Sequence, residues 1–178
     1  VFLMDRFGYA KTVDVATYER NKEAADAENK WIVNCINTGK LCVFTNTGKM
    51  HQIKVLDIPA GKFRDKGVPI DNLCNYDSAK EYIIQVLDVQ TMIHSTLLFA
   101  TAKSMLKVMD GDLLNASKRT VQATKLSEDE LVAVIVADWS EESEDKVVLQ
   151  TKDGVFLKFP YAEIPKKKKS ALGVRGMK

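Results

Sequence analysis

The stretch Leu41-Cys-Val-Phe-Thr-Asn-Thr-Gly-Lys-Met-His51 is an apolar run, a threonine, two further residues, a glycine and a second run. Glycine at that place supplies the positive φ of a tight hairpin, and the threonine hydroxyl can bond the turn backbone. The same figure recurs on either side, at Val1-Phe-Leu-Met-Asp-Arg-Phe-Gly-Tyr-Ala-Lys11, Leu97-Leu-Phe-Ala-Thr-Ala-Lys-Ser-Met-Leu-Lys107 and Val147-Val-Leu-Gln-Thr-Lys-Asp-Gly-Val-Phe-Leu157. The anchors Asp5, Thr45, Thr101 and Thr151 are 40, 56 and 50 residues apart, with Gly8, Gly48, Ser104 and Gly154 three positions later. Ser104 departs from the pattern and is expected to need a different turn. Further β-branched runs, Tyr82–Leu87 and Leu131–Val136, read as additional strands between the hairpins. Four strands per repeat of roughly 40–50 residues is the period of a propeller blade. The expected fold is therefore all-β and propeller-like, one domain over residues 1–178 built from about four blades, with repeats near 1–39, 40–95, 96–145 and 146–178. Only Ala16–Lys30 has a helix-like composition, and it reads as an excursion between strands.

A second feature is phased to the hairpins. Lys62-Phe-Arg-Asp-Lys-Gly-Val68, Lys118-Arg-Thr-Val121 and Lys166-Lys-Lys-Lys-Ser-Ala-Leu-Gly-Val174 each place basic residues just before a valine. The 178-residue chain carries 26 Lys+Arg and 24 Asp+Glu, and the near-neutral sum hides an uneven distribution. Residues 126–145 hold eight acidic and no basic side chains, whereas residues 146–178 hold nine basic and two acidic ones. Segregated charge of this kind suits either a solvated surface or a basic face for a polyanion.

The remaining chemistry is sparse. Cys35, Cys42 and Cys74 are odd in number without a C-x-x-C spacing, which indicates neither a zinc site nor a disulfide framework. No apolar run approaches the roughly 20 residues of a membrane helix. There is no Walker loop, G-x-G-x-x-G, H-E-x-x-H or G-x-S-x-G. His51 falls in the second strand of a hairpin and reads as a packed or exposed imidazole, His94 has no sequence partner, and Asp5 reads as a turn cap because Thr replaces it in the other repeats. A first residue of Val inside an apolar run suggests a piece of a longer polypeptide.

Asp5-Arg-Phe-Gly-Tyr-Ala-Lys-Thr12, Thr45-Asn-Thr-Gly-Lys-Met50 with Ile58-Pro59 and Lys66-Gly-Val-Pro-Ile70, and Phe159-Pro-Tyr-Ala-Glu-Ile-Pro165 leading into Gly173-Val-Arg-Gly-Met-Lys178 closely resemble the C-terminal domain of the A subunit of bacterial type IIA topoisomerases, the family of DNA gyrase and topoisomerase IV. The resemblance implies a β-pinwheel, a propeller-like ring whose blades exchange strands and whose basic outer rim bends duplex DNA. That family usually has five or six blades, so four repeats imply a fragment or a shorter member. In gyrase a box resembling Gln-Arg-Arg-Gly-Gly-Lys-Gly follows the first hairpin. The corresponding stretch here, Glu19-Arg-Asn-Lys-Glu-Ala-Ala-Asp-Ala-Glu28, has no glycine and more acid than base, a departure that makes the chain more like topoisomerase IV.

The resemblance further implies an accessory role in a cytoplasmic, nucleoid-associated, ATP-hydrolysing enzyme, presenting duplex DNA to the cleavage core for strand passage. The partners it implies are DNA, the remainder of the A subunit and the B subunit, with no membrane. No catalytic residue, metal site or cofactor is carried onto this chain, ATP and Mg²⁺ acting in other parts of the parent enzyme. The candidate phosphate-facing residues are Arg6, Lys11, Lys49, Lys62, Arg64, Lys66, Lys103, Lys107, Lys118, Arg119, Lys158, Lys166, Lys167, Lys168, Lys169 and Arg175. The acidic residues Glu128, Asp129, Glu130, Glu141, Glu142, Glu144 and Asp145 are expected in loops away from these, since carboxylates repel phosphates. A propeller-like protein-interaction module without DNA binding and a self-contained enzyme are the readings from other classes. A steep salt dependence of affinity for duplex DNA separates the first reading from the interaction module.

Overall fold

A computed structural model describes residues 1–178. The elements run β1 (Phe2–Asp5), β2 (Tyr9–Thr12), α1 (Val15–Arg20), α2 (Lys22–Glu28), β3 (Asn29–Val33), β4 (Lys40–Thr45), β5 (Lys49–Lys54), β6 (Val68–Pro69), β7 (Ile83–Asp88), α3 (Val89–Ile93), β8 (Thr96–Thr101), β9 (Met105–Asp110), β10 (Thr120–Gln122), β11 (Leu131–Val136), β12 (Lys146–Gln150), β13 (Phe156–Pro160) and β14 (Val174–Arg175). The all-β architecture is as expected, and the helix-like stretch folds as α1 and α2.

The four repeated hairpins close with one turn. The amides of Gly8, Gly48, Ser104 and Gly154 donate to the carbonyls of Asp5, Thr45, Thr101 and Thr151 at 3.2, 3.0, 2.9 and 3.0 Å. Their φ values are 86°, 77°, 64° and 83°. Ser104 thus adopts the left-handed conformation of its glycine counterparts, and the expectation of a different turn is corrected. The hairpin geometry outweighs the local penalty of roughly 1–2 kcal/mol for a residue with a Cβ in that region. The anchors cap the turns: Asp5 Oδ1 accepts from Phe7 and Tyr9, Thr101 Oγ1 from Met105 and Thr151 Oγ1 from Val155. Thr45 is diverted, donating instead to the buried Glu81 carboxylate at 2.7 Å.

Three of the sheets have four strands each, in the orders β3-β1-β2-β6, β10-β5-β4-β7 and β11-β8-β9-β14, and the last pairs only β12 with β13. In each four-stranded sheet the outer partner of the second hairpin strand comes from the following repeat. Val68 pairs with Ala10, Val121 with Met50 and Val174 with Leu106, all antiparallel. These are the valines that end the three basic loops, so every basic loop is the entry to an exchanged strand.

The sheets pack face to face in sequence order, and strand alternation divides the core accordingly. Leu41 and Val43 join Phe2, Met4 and Ala10 between the first and second sheets. Cys42 and Phe44, on the opposite face, join Leu97 and Phe99 between the second and third, where the two phenylalanine rings meet edge to face at 6.2 Å. Leu98, Leu106 and Val108 meet Tyr161 and Ile164 between the third and fourth. Burial on both faces explains why β4 reads as an unbroken apolar run rather than an alternating one. The outer face of the first sheet is covered by the helices, with Tyr18 and Ala25 packed on Val1, Leu3 and Val13.

Candidate nucleic-acid interface

The loops that carry the exchanged strands are fastened by side chains from the second strand of the preceding hairpin. Lys11 Nζ donates to the carbonyls of Phe63 and Asp65. Lys107 Nζ donates to those of Lys168, Lys169 and Ala171 at 3.2, 3.1 and 2.8 Å. Lys11, His51 and Lys107 occupy equivalent positions three residues after the turn residue, and the joint differs where histidine stands. There Gln52 Nε2 takes the carbonyls of Ala116 and Lys118 at 2.9 and 2.6 Å.

Lys11 and Lys107 were expected to face phosphates, and the structure corrects both. Lys107 is 1% exposed, and burial lowers its pKa to about 8. Lys11 is half-buried with its ammonium turned to loop carbonyls. In both cases the hairpin strand that carries the lysine is covered by the incoming loop, which leaves the ammonium nowhere to go but under it. Gly67 and Gly173 make that covering feasible: a Cβ there would lie 2.4 Å from the carbonyl oxygens of Ala10 and Leu106 respectively.

The other candidates are exposed: Arg6, Lys49, Lys62, Arg64, Lys66, Lys103, Lys118, Arg119, Lys158, Lys166, Lys167, Lys168, Lys169 and Arg175. A cleft of about 950 Å³ gathers Arg6, Arg64 and Lys66 with Lys30 and the exposed Phe7, and Asp5, Glu28 and Asp65 share its lining. A second, of about 890 Å³, joins Lys118 to Lys169 across two successive loops, with Lys125 between them. The backbone closes this junction, Lys125 N donating to Lys169 O at 3.1 Å. A third cleft holds Lys103, Lys125 and Arg175. Three candidates are already engaged: Lys166 pairs with Asp110 at 2.6 Å, the Lys66 ammonium lies 4.0 Å over the Tyr9 ring, and the Arg6 guanidinium lies 5.3 Å over the Phe7 ring. Lys158 lies apart from the three loops, in β13 opposite Val148.

Part of the acidic block also departs from expectation. Glu128 and Asp129 line the cleft of Lys103 and Arg175, because the Asp129 carboxylate accepts the Lys103 amide at 3.0 Å and so caps the third hairpin turn. Glu130 accepts the Tyr82 hydroxyl at 3.0 Å. Glu141, Glu142, Glu144 and Asp145 lie exposed in the connection between β11 and β12 and line none of the three clefts.

At the second joint His51 Nε2 meets Glu81 Oε1 at 2.8 Å and His51 Nδ1 meets Thr120 Oγ1 at 3.0 Å. Burial raises the Glu81 pKa, but hydrogen bonds from Thr45, Thr47 and His51 outweigh it and leave the carboxyl below its ordinary value. With side-chain exposures of 2% and 4% for the histidine and glutamate, this cluster pins β10 onto β5 and offers no access to a substrate. No three His, Cys, Asp or Glu side chains converge as metal ligands, and no helix is long and apolar enough to cross a membrane.

The family model of the DNA gyrase C-terminal domain, described as a β-propeller, matches residues 39–86, 95–138 and 145–178. The chain belongs to the DNA gyrase C-terminal domain family. Each matched segment contains one hairpin and begins at or next to its first strand, while the first hairpin, outside the match, closes with the same turn and joins the same kind of sheet. Gyrase A of Lawsonia intracellularis is 29% identical over 99% of this chain and 23% of its own length. Gyrase A of Chlamydia muridarum is 34% identical over 77% of this chain and 16% of its own length. The chain therefore spans about a fifth of the curated relatives it matches. Among solved structures, the C-terminal domain of topoisomerase IV superposes with a TM-score of 0.84 at 22% identity, over 99% of this chain and 56% of that one. The gyrase A C-terminal domain superposes at 0.59 and 16% identity, over 99% and 59%. These neighbours have the β-pinwheel fold, and the similarities do not divide the chain between gyrase and topoisomerase IV. Within the gyrase-type pinwheel, sequence reasoning found the basic loops but missed Lys30 and Lys125, isolated lysines whose roles depend on which loops meet. It also missed Gln52, although its place beside His51, where other repeats have lysine, was a visible signal.

Proposed function

We propose that this chain is the non-catalytic DNA-binding and DNA-bending domain of a type IIA topoisomerase A subunit, of the topoisomerase IV rather than the wrapping gyrase kind. The observation that carries the reading is the grouping of Lys118, Lys125 and Lys169 across two successive strand-exchange loops. Cations repeated from blade to blade meet successive phosphates along a curved path, release counterions and give affinity with little base readout. Bending a site of 20–30 bp costs about 1–6 kcal/mol, so several loops must act together. The Arg6, Lys30, Arg64 and Lys66 cleft extends the path to the first blade.

In this reading α1 and α2 replace the gyrase box. They present Glu19, Glu23 and Glu28 in place of a glycine-rich basic loop, which supports bending without a tight positive wrap. The parent enzyme would act in the cytoplasm on the nucleoid with its B subunit, and the ATP and Mg²⁺ chemistry would lie outside this chain, which itself needs no cofactor. Fluorescence anisotropy with one short duplex at several salt concentrations tests the binding, and a salt-independent affinity would refute it. Plasmid ligation tests the bending: a small linking-number change is expected, and a large shift of gyrase sign would show wrapping without the box.

A further inference from the structure

The geometry points to a second set of phosphate ligands on the rim: the backbone amides of Arg64 and Lys66, of Ser117 and Arg119, and of Lys169 and Ser170. These amides are turned outward because Lys11, Gln52 and Lys107 draw the preceding carbonyls inward. The inference rests on the DNA-binding reading of the same loops and names which atoms would do the binding.

A trans peptide places its C=O and N–H on opposite sides. Lys11 holds the carbonyls of Phe63 and Asp65, Gln52 those of Ala116 and Lys118, and Lys107 those of Lys168 and Lys169 together with Ala171, which lies past the basic run and is left out of the set. The amide following each captured carbonyl therefore faces away from the hairpin. None of these six amides donates to another group of the protein, and all six residues are exposed. The same device appears in all three loops although two use a lysine ammonium and one an amide nitrogen, so the shared feature is the captured carbonyl and not the charge. Outward N–H groups beside lysines and arginines are directed donors for a phosphate oxygen. Lys11, Gln52 and Lys107 are then positioning residues that act through the loop backbone.

A neutral donor binds phosphate without neutralising it, so these amides contribute affinity without adding to the counterion slope. Gln52→Leu removes, with no change in charge, the captor of the Lys118 carbonyl and the nearer of two at Ala116, where Lys40 Nζ also lies at 3.5 Å. We expect it to weaken duplex binding about tenfold, the worth of about one hydrogen bond to a charged acceptor, at an unchanged slope of log affinity against log salt. Arg119→Ala should instead flatten the slope by about 0.9. In amide NMR spectra of the whole chain, the protons of Arg64, Lys66, Ser117, Arg119, Lys169 and Ser170 should move downfield on adding duplex. In Gln52→Leu that of Arg119 should cease to do so and that of Ser117 should move less, since Lys40 still reaches the Ala116 carbonyl. If Gln52→Leu does not fold, Lys11→Met gives the same reading at Arg64 and Lys66. Binding by anisotropy with these six amides unshifted would overturn the inference and leave the DNA reading intact. If no duplex binds at all, the DNA reading fails and titration with inorganic phosphate decides the amides: shifts at the six support an anion site, and their absence overturns it.

Discussion

Gly67 and Gly154 have nearly the same φ, 82° and 83°, but different surroundings, so alanine at each separates backbone conformation from close approach. At Gly154 a Cβ meets nothing within 4 Å. Gly154→Ala then costs only the left-handed penalty, partly offset by the reduced freedom of the unfolded chain, about 1 kcal/mol. At Gly67 the same Cβ would stand 2.4 Å from the Ala10 carbonyl oxygen and 2.8 Å from its carbon. Restoring a tolerable separation moves β6 away from β2 by about 0.8 Å, enough to stretch their hydrogen bonds beyond the useful range. With each broken bond worth about 1 kcal/mol, Gly67→Ala should cost about 3 kcal/mol and release the first exchanged strand. Urea unfolding followed by circular dichroism measures both variants, with the shift in midpoint at constant m as the readout. Equal destabilisation of the two variants would refute the view that strand exchange requires glycine at this joint.

Ser104→Gly should raise stability by about 1 kcal/mol in the same assay, since Ser104 holds φ 64° where glycine is unstrained. Replacing Lys118, Lys125 and Lys169 with alanine should flatten the salt slope of duplex binding by about 0.9 for each phosphate no longer neutralised. Alanine at Lys103 and Arg175 should change it less, because Glu128 and Asp129 share their cleft. The folded pKa of Glu81 lies below its ordinary value of 4.5. The unfolded chain therefore takes up a proton first on acidification, and the stability this group contributes is fully present above 4.5 and disappears as pH falls through its folded pKa. Glu81→Gln should be less stable at neutral pH and show a flatter acid limb in urea midpoints measured across that range.

Much of the fold was legible because hairpins are local. The anchor, the turn residue and the two flanking runs lie within about a dozen residues of one another, so turn chemistry alone specified them. Ser104 defeats a local reading because a preference for glycine is a local free energy, and the neighbouring strand pairs outweigh it. The charge pattern likewise located the three basic loops and the valines that end them, and the helical composition of residues 16–30 agrees with the helices found there. What the sequence could not determine was direction. Lys11 and Lys49 look alike in the chain, but a loop from the next repeat settles over Lys11 and leaves Lys49 exposed. Lys107, written as one more rim cation, ends under the loop whose lysines it supports. Which face of a strand is covered, and by which distant segment, depends on pairings such as Val174 with Leu106. Those pairings are made across intervals far longer than any local pattern spans, so only the assembled sheets decided which cations face solvent and which hold the backbone.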